Sequence, residues 1–261
     1  MKTVVYQSFR AHDCPPWLEA CMRSARTWAE SRGFAYRFFD DRFFDFCPPW
    51  YRQRVGANIL LMSDLARLVA ARELLADEFE RAIWIDADVL FFAPAAFDID
   101  AGDGGGDDDD RFALNTELWV NREHGQFVGW RRVNNAVCRF DRGNAFLDFY
   151  IDACQRIVRK ATGPLDRLGV GTAFLTPLHK IVPLPQIPSV GTFNPILMDH
   201  LARGDAEPLR AYRKHFAHPI GAANLCGSFR GQTCQGVRMD DGVYDGTVTA
   251  LLGPAGAEIS R

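Results

Sequence analysis

The sequence predicts an α/β protein built on a mostly parallel sheet with helices on both faces. Three observations carry that expectation. Residues 82–92 read A-I-W-I-D-A-D-V-L-F-F, an apolar run rich in β-branched and aromatic residues, as expected of a central strand covered on both sides. The first forty residues read strand, helix, strand. A second helical pattern separates that opening from the apolar run, and such alternation favours parallel pairing.

Each element can be justified in order. Residues 3–9, T-V-V-Y-Q-S-F, form a first strand. Residues 16–31 form an amphipathic helix, with Pro15 and Pro16 at its start and Gly33 beyond its end. A second strand over 35–39 stops at Asp40-Asp41, and an irregular, aromatic-rich connection covers 43–54. Residues 58–76 make a helix with Leu61, Leu65, Leu68, Val69 and Leu75 at helical spacing. The apolar strand follows. The glycine and aspartate cluster at 98–111 reads as a solvated loop, because it lacks the ordered ligand spacing and closing glutamate of a calcium loop. Strands over 112–120 and 133–140 and a helix over 144–160 come next. From about 161 the chain is richer in glycine and proline and is expected to wrap irregularly around one domain spanning 1–261.

The gross numbers exclude several classes. A chain of 261 residues with 48% hydrophobic and 24% charged residues has enough mass for a sizeable core. Its net charge of −3 lacks the basic footprint of a nucleic-acid binder. Seven cysteines without a C-x-x-C pair point to reduced thiols in a cytoplasmic protein rather than to zinc or a disulfide framework. The first residues lack the apolar core of a signal peptide, and no apolar segment reaches membrane-spanning length, so only peripheral membrane contact is expected.

Asp86 and Asp88 stand inside the apolar run. Strand alternation places both on one face and Ala87 on the other. Two carboxylates converging in an apolar setting require a positive partner. A hard divalent ion with oxygen ligands answers that need, and magnesium or manganese keeps positions open for substrate phosphates. Asp64 and Arg67 lie three apart on one helix face, either as an intrahelical ion pair or as part of the same site.

Met62-Ser63-Asp64-Leu65-Ala66-Arg67, followed some twenty residues later by Trp84-Ile85-Asp86-Ala87-Asp88, resembles the GT-A glycosyltransferases, and in particular the retaining families 8 and 32. In those families an S-D-x-x-R helix precedes the strand carrying a D-x-D motif. The resemblance implies a GT-A fold and a metal-dependent, retaining hexosyltransferase. It would move sugar from a nucleotide-diphosphate sugar to a glycan, glycolipid or other acceptor. It implies Mn2+ or Mg2+ on Asp86 and Asp88, with Ala87 beside the donor and Asp64 and Arg67 facing it. His218-Pro219-Ile220-Gly221 resembles the H-x-x-G whose histidine completes the metal site, with His215 as a competing ligand; the K-P-W that usually follows is replaced by Ala222-Ala223-Asn224. Asn134 and Asn135 resemble an asparagine-bearing strand beside the donor sugar, or else form a turn. Gly171 and Thr172 lie in a segment resembling the G-P…L-T of family 32, or in an ordinary loop. Glu117 can face the sugar. No catalytic base or nucleophile is assigned.

Two other readings share the motif. A haloacid-dehalogenase-type phosphatase also carries D-x-D on a strand, and Asp240-Asp241-Gly242 imitates its distal acidic motif, but Val89 stands where that family has glycine. A non-catalytic relative that only binds nucleotide sugar is the other.

Overall fold

The computed structural model describes residues 1–10, 12–100 and 111–261, so residues 101–110 of the glycine and aspartate cluster lie outside the described residues. The chain opens with β1 (Thr3–Ser8), α1 (Pro16–Ser31) and β2 (Ala35–Phe39), in the expected places. Gly33, just past α1, has a φ of 70°, the left-handed conformation that ends helices and suits glycine. Where an irregular connection was expected, a 3-10 turn over Asp41–Phe46 leads into α2 (Pro49–Val55), which Pro48 and Pro49 start. The next helix, α3 (Ile59–Asp77), is capped by Asn58, whose side chain accepts from the Leu61 N–H.

β3 (Arg81–Ile85) stops immediately before Asp86, and β4 (Val89–Phe91) joins a different sheet. The single strand expected over 82–92 is therefore two, and the aspartates sit in the turn between them rather than in strand alternation. Next come β5 (Phe112–Glu123), β6 (Gln126–Asp141) and α4 (Ala145–Lys160). The remainder is more regular than its composition suggests. It holds α5 (Thr172–His179), β7 (Gln186–Ile187), β8 (Val190–Thr192), α6 (Pro195–Ala202) and α7 (Glu207–Arg213). It closes with β9 (Ala222–Asn224), a small hairpin of β10 (Thr233–Cys234) and β11 (Val237–Arg238), α8 (Asp241–Leu251) and α9 (Pro254–Ile259).

Among the described residues the main sheet runs β2–β1–β3–β6–β5–β7, and a smaller one runs β4–β9–β8. The fold class is α/β, but the main sheet is mixed rather than mostly parallel. β1 pairs parallel with β2 and β3, and β5 pairs parallel with β7, while β6 runs against both β3 and β5. The reason is a two-residue turn, His124-Gly125, whose φ angles of 49° and 80° suit the tight hairpin turn. So short a link returns the chain antiparallel. The strand extends far beyond the expected 133–140, because a His-Gly turn is a weaker signal than Asn-Gly.

Helices cover both faces of this sheet. Tyr6, Ala82 and Trp84 pack towards α3 and α4, while the alternating residues Val5, Ile83 and Ile85 pack towards α1. A third apolar cluster joins the start of α1 to α6, α7 and α8 beneath the smaller sheet. No described helix is long and apolar enough to cross a membrane.

Candidate active site

A cleft of about 1230 Å³ opens beyond the carboxyl ends of β1, β2 and β3. Ser8 and Phe9 enter it from β1, Asp40 and Asp41 from β2, and Asp86, Ala87 and Asp88 from β3. Ligand sites of open α/β sheets occupy this position, because backbone and side chains leaving neighbouring strands converge there.

Asp86 is fixed from three sides. Its backbone N–H donates to Ala136 O at 2.7 Å, and its carbonyl accepts from Gln7 Nε2 at 3.2 Å. Its Oδ1 accepts from Trp84 Nε1 at 2.6 Å and lies 3.2 Å from Arg67 Nη1. Among the described residues no donor hydrogen-bonds to Oδ2. Burial pushes the Asp86 carboxyl up to about 7; Arg67 opposes this and Asp88 adds to it. Asp88 belongs to the smaller sheet's side of the turn. Its Oδ1 accepts from Asn224 Nδ2 at 2.8 Å and its Oδ2 from the Gly227 N–H at 2.5 Å. Burial raises its pKa as well, against those donors. Asn224 stands at the end of β9, opposite Val89, which is how a residue 136 positions away reaches Asp88.

Arg67 is the hub. Almost fully buried at 4% exposure, it lies 3.3 Å from Asp64 Oδ1, donates to Asn135 O at 2.5 Å and to Ser63 Oγ at 3.1 Å, and stacks 5.0 Å from the Trp84 ring. Burial works against its charge, yet Asp86 and then Asp64 hold the guanidinium protonated above its ordinary value. Asp64 also accepts from Asn135 Nδ2 at 2.9 Å, and burial raises its pKa. The pair is thus intrahelical and part of the cleft at once.

Asn134 and Asn135 owe their placement to a bulge. Leu114 faces Cys138 across the hairpin, but Asn115 faces Asn134, so β6 carries three extra residues there. Asn115 Oδ1 accepts from the Val137 N–H at 3.0 Å and satisfies a group the bulge would otherwise orphan. The two amides brace protein groups: Asn135 holds Asp64 and Tyr150, and Asn134 holds Glu117. Gly171, at the start of α5, comes close to this network, since a Cβ there would meet Asp64 Oδ2 at 3.0 Å.

Asp64, Arg67, Asp86, Ala87, Asp88, Asn134, Asn135, Gly171 and Thr172 all line this one cleft. His218 does not. It is exposed and lies before β9, whose far end, Asn224, is the part that reaches Asp88. No group of three or more His, Cys, Asp or Glu among the described residues is arranged to share an ion, so the expected set of Asp86, Asp88 and His218 is not assembled. Gly221 of the same motif has a packing role: a Cβ there would lie 2.4 Å from Phe97 N and 2.6 Å from Ala93 O. The distal acidic pair is structural, too. Asp240 caps α8 by accepting from the Val243 N–H, and Asp241 pairs with Arg230 and Trp17.

Sequence reasoning missed Trp84, Asn224 and Gly227 as the groups that hold the two aspartates. The tryptophan signal was local, since Trp84 stands only two residues before Asp86. The other two depend on long-range pairing that no local pattern announces.

Comparison with protein families and with curated proteins finds no match to this chain. Comparison with solved structures finds the crystal structure of a glycosyltransferase involved in the glycosylation of the major capsid of PBCV-1. That protein is 10% identical, with a TM-score of 0.44, over 87% of this chain and 94% of that one. So distant a likeness concerns the course of the chain and says nothing of the residues in the cleft.

Proposed function

We propose that this chain is a metal-dependent glycosyltransferase of the GT-A kind, retaining, and acting on a nucleotide-diphosphate sugar. The observation that carries the reading is the pair of carboxylates, Asp86 and Asp88, brought to one cleft at the carboxyl ends of β1 and β3. Two half-buried carboxylates with raised pKa values favour a cation. They are also the donor set of Mg2+ or Mn2+, which binds through one or two carboxylates and completes its shell with water and phosphate oxygens. Asp86 supports this fit through an Oδ2 that no described group hydrogen-bonds. A divalent ion held there would neutralise charge developing on a departing diphosphate.

The protein's own groups have separate tasks in this reading. Arg67 opposes the effect of burial on Asp86 and Asp64, favouring their ionised forms, and fixes their spacing. Trp84 and Gln7 orient Asp86, and Asn224 and Gly227 orient Asp88. Gly171 lets substrate approach backbone closely. Glu117, buried at 4% exposure and lining the cleft, faces the donor sugar or its acceptor.

Thermal unfolding with UDP, GDP and ADP, each with and without Mn2+, tests the proposal. A selective shift that needs both nucleotide and metal, and is lost in Asp86→Asn, is the expected result. No shift with any nucleotide overturns it. Magnesium-dependent turnover of p-nitrophenyl phosphate, lost in Asp86→Asn and without any nucleotide effect, would replace it with the phosphatase.

A further inference from the structure

The β5–β6 hairpin carries a face that continues beyond the donor site. Across the hairpin Glu117 stands opposite Arg132, and Trp119 opposite Trp130. Directly opposed residues of antiparallel strands point to the same side, as do residues two apart. These four side chains therefore share one face. The opposite face is fixed inward: Leu118 and Val120 are buried in the third apolar cluster, and Leu118 lies where a Cβ on Gly129 would stand, 2.7 Å away.

Glu117, Trp119 and Arg132 line the cleft, whereas Trp130 is 52% exposed. The face thus leads from the cleft out to solvent. Trp17, Trp28 and Trp84 are buried, and the half-buried Trp50 does not line the cleft, so the indoles of this hairpin are the ones a ligand in the cleft could extend onto. Arg132 lies 3.6 Å from Glu117 and 5.7 Å from the Trp119 ring, which leaves the face little surplus positive charge for an anionic membrane. A pyranose ring has a C–H face that covers an indole and a rim of hydroxyls that bond carboxylates, amides and guanidinium groups.

We propose that this face of the hairpin, from Glu117 and Arg132 out to Trp119 and Trp130, binds the saccharide chain of the acceptor. The proposal rests on the glycosyl-transfer reading. It gives the acceptor an approach along the hairpin, with its reacting end in the cleft and the preceding sugar on the indole pair.

The test uses the whole 261-residue chain with 15N-labelled tryptophan, the Nε1–H signals being assigned with Trp119→Phe and Trp130→Phe. Maltose, cellobiose and diacetylchitobiose are each titrated to about 50 mM, enough to populate a site of millimolar affinity. The expected result is a saturable, joint shift of the Trp119 and Trp130 signals with at least one of these sugars. Trp130→Ala, followed on the Trp119 signal, then weakens that saccharide about threefold to tenfold. If none of the three moves either signal, or if Trp130→Ala binds as wild type does, the proposal is overturned. A Trp130 shift with phosphatidylcholine–phosphatidylglycerol vesicles and not with sugars overturns it in favour of a membrane contact. UDP and GDP with Mn2+ are titrated into the same sample. Nucleotide binding without saccharide binding removes the acceptor face alone, whereas saccharide binding without nucleotide binding removes the transferase and with it the acceptor role.

Discussion

Arg67 Nη1 lies 3.2 Å from Oδ1 of Asp86, and this contact ties a helix buried behind the sheet to the floor of the cleft. The same guanidinium holds Asp64 on its own helix. One cation thus compensates two carboxylates, Asp64 buried and Asp86 opening onto the cleft.

Removing that cation is expected to be costly. Arg67→Met leaves the buried Asp64 and the half-buried Asp86 without their charge partner and should lower folding stability by about 3–5 kcal/mol. Arg67→Lys should recover only part, because a lysine cannot reproduce the planar set of bonds to Asn135, Ser63 and two carboxylates. Urea unfolding of both variants and of the Asp64→Asn combination measures this. A double-mutant cycle with no coupling between Arg67 and Asp64 would refute the shared network.

Asn224 holds Asp88 through a charge-assisted bond across the smaller sheet. Asn224→Ala should lower stability by about 1.5–3 kcal/mol. Asn224→Asp sets a like charge against Asp88 and should cost more at neutral pH than at pH 4. Equal losses at both pH values, again read in urea, would argue against the contact.

Glu117 gives a pH signature. Burial raises its pKa in the folded state, with Asn134 and Arg132 opposing. A carboxyl with a raised folded pKa contributes stability below its unfolded pKa of about 4.3, and that contribution is lost as pH rises through the folded value. Glu117→Gln keeps the acceptor for Asn134 without the charge. Its stability relative to wild type should therefore improve from pH 4 to pH 8, and a flat difference across that range would contradict the assignment.

His218 and Gly221 should part company despite belonging to one short motif. His218→Ala is expected to keep the manganese-dependent thermal shift that Asp86→Asn loses. Gly221→Ala forces a methyl against the backbone at Ala93 and Phe97, and should cost about 1–3 kcal/mol or more. Melting temperatures with and without Mn2+ distinguish the two effects.

What could be read from the sequence followed from how local its causes are. The first strand, α1 and β2 were legible because prolines, a terminal glycine and apolar spacing all act within a few residues. Asp64 and Arg67 were legible for a similar reason, since helical spacing puts them on one face, and Asp86 and Asp88 were legible as a motif although they sit in the turn after β3 rather than in strand alternation. The break between β3 and β4 was not, because Val89–Phe91 is as apolar as a continuing strand and changes sheet only by pairing with β9. The three extra residues of the β6 bulge left no compositional trace either. Nor did the position of His218, which depends on which end of β9 meets Asp88.

The clamp on Asp88 also sets an order of assembly. Its two donors come from Asn224 and Gly227, so a chain leaving the ribosome has Asp88 in hand long before the groups that orient it. Any fragment truncated ahead of residue 224 could retain much of the main sheet and still hold a half-built centre.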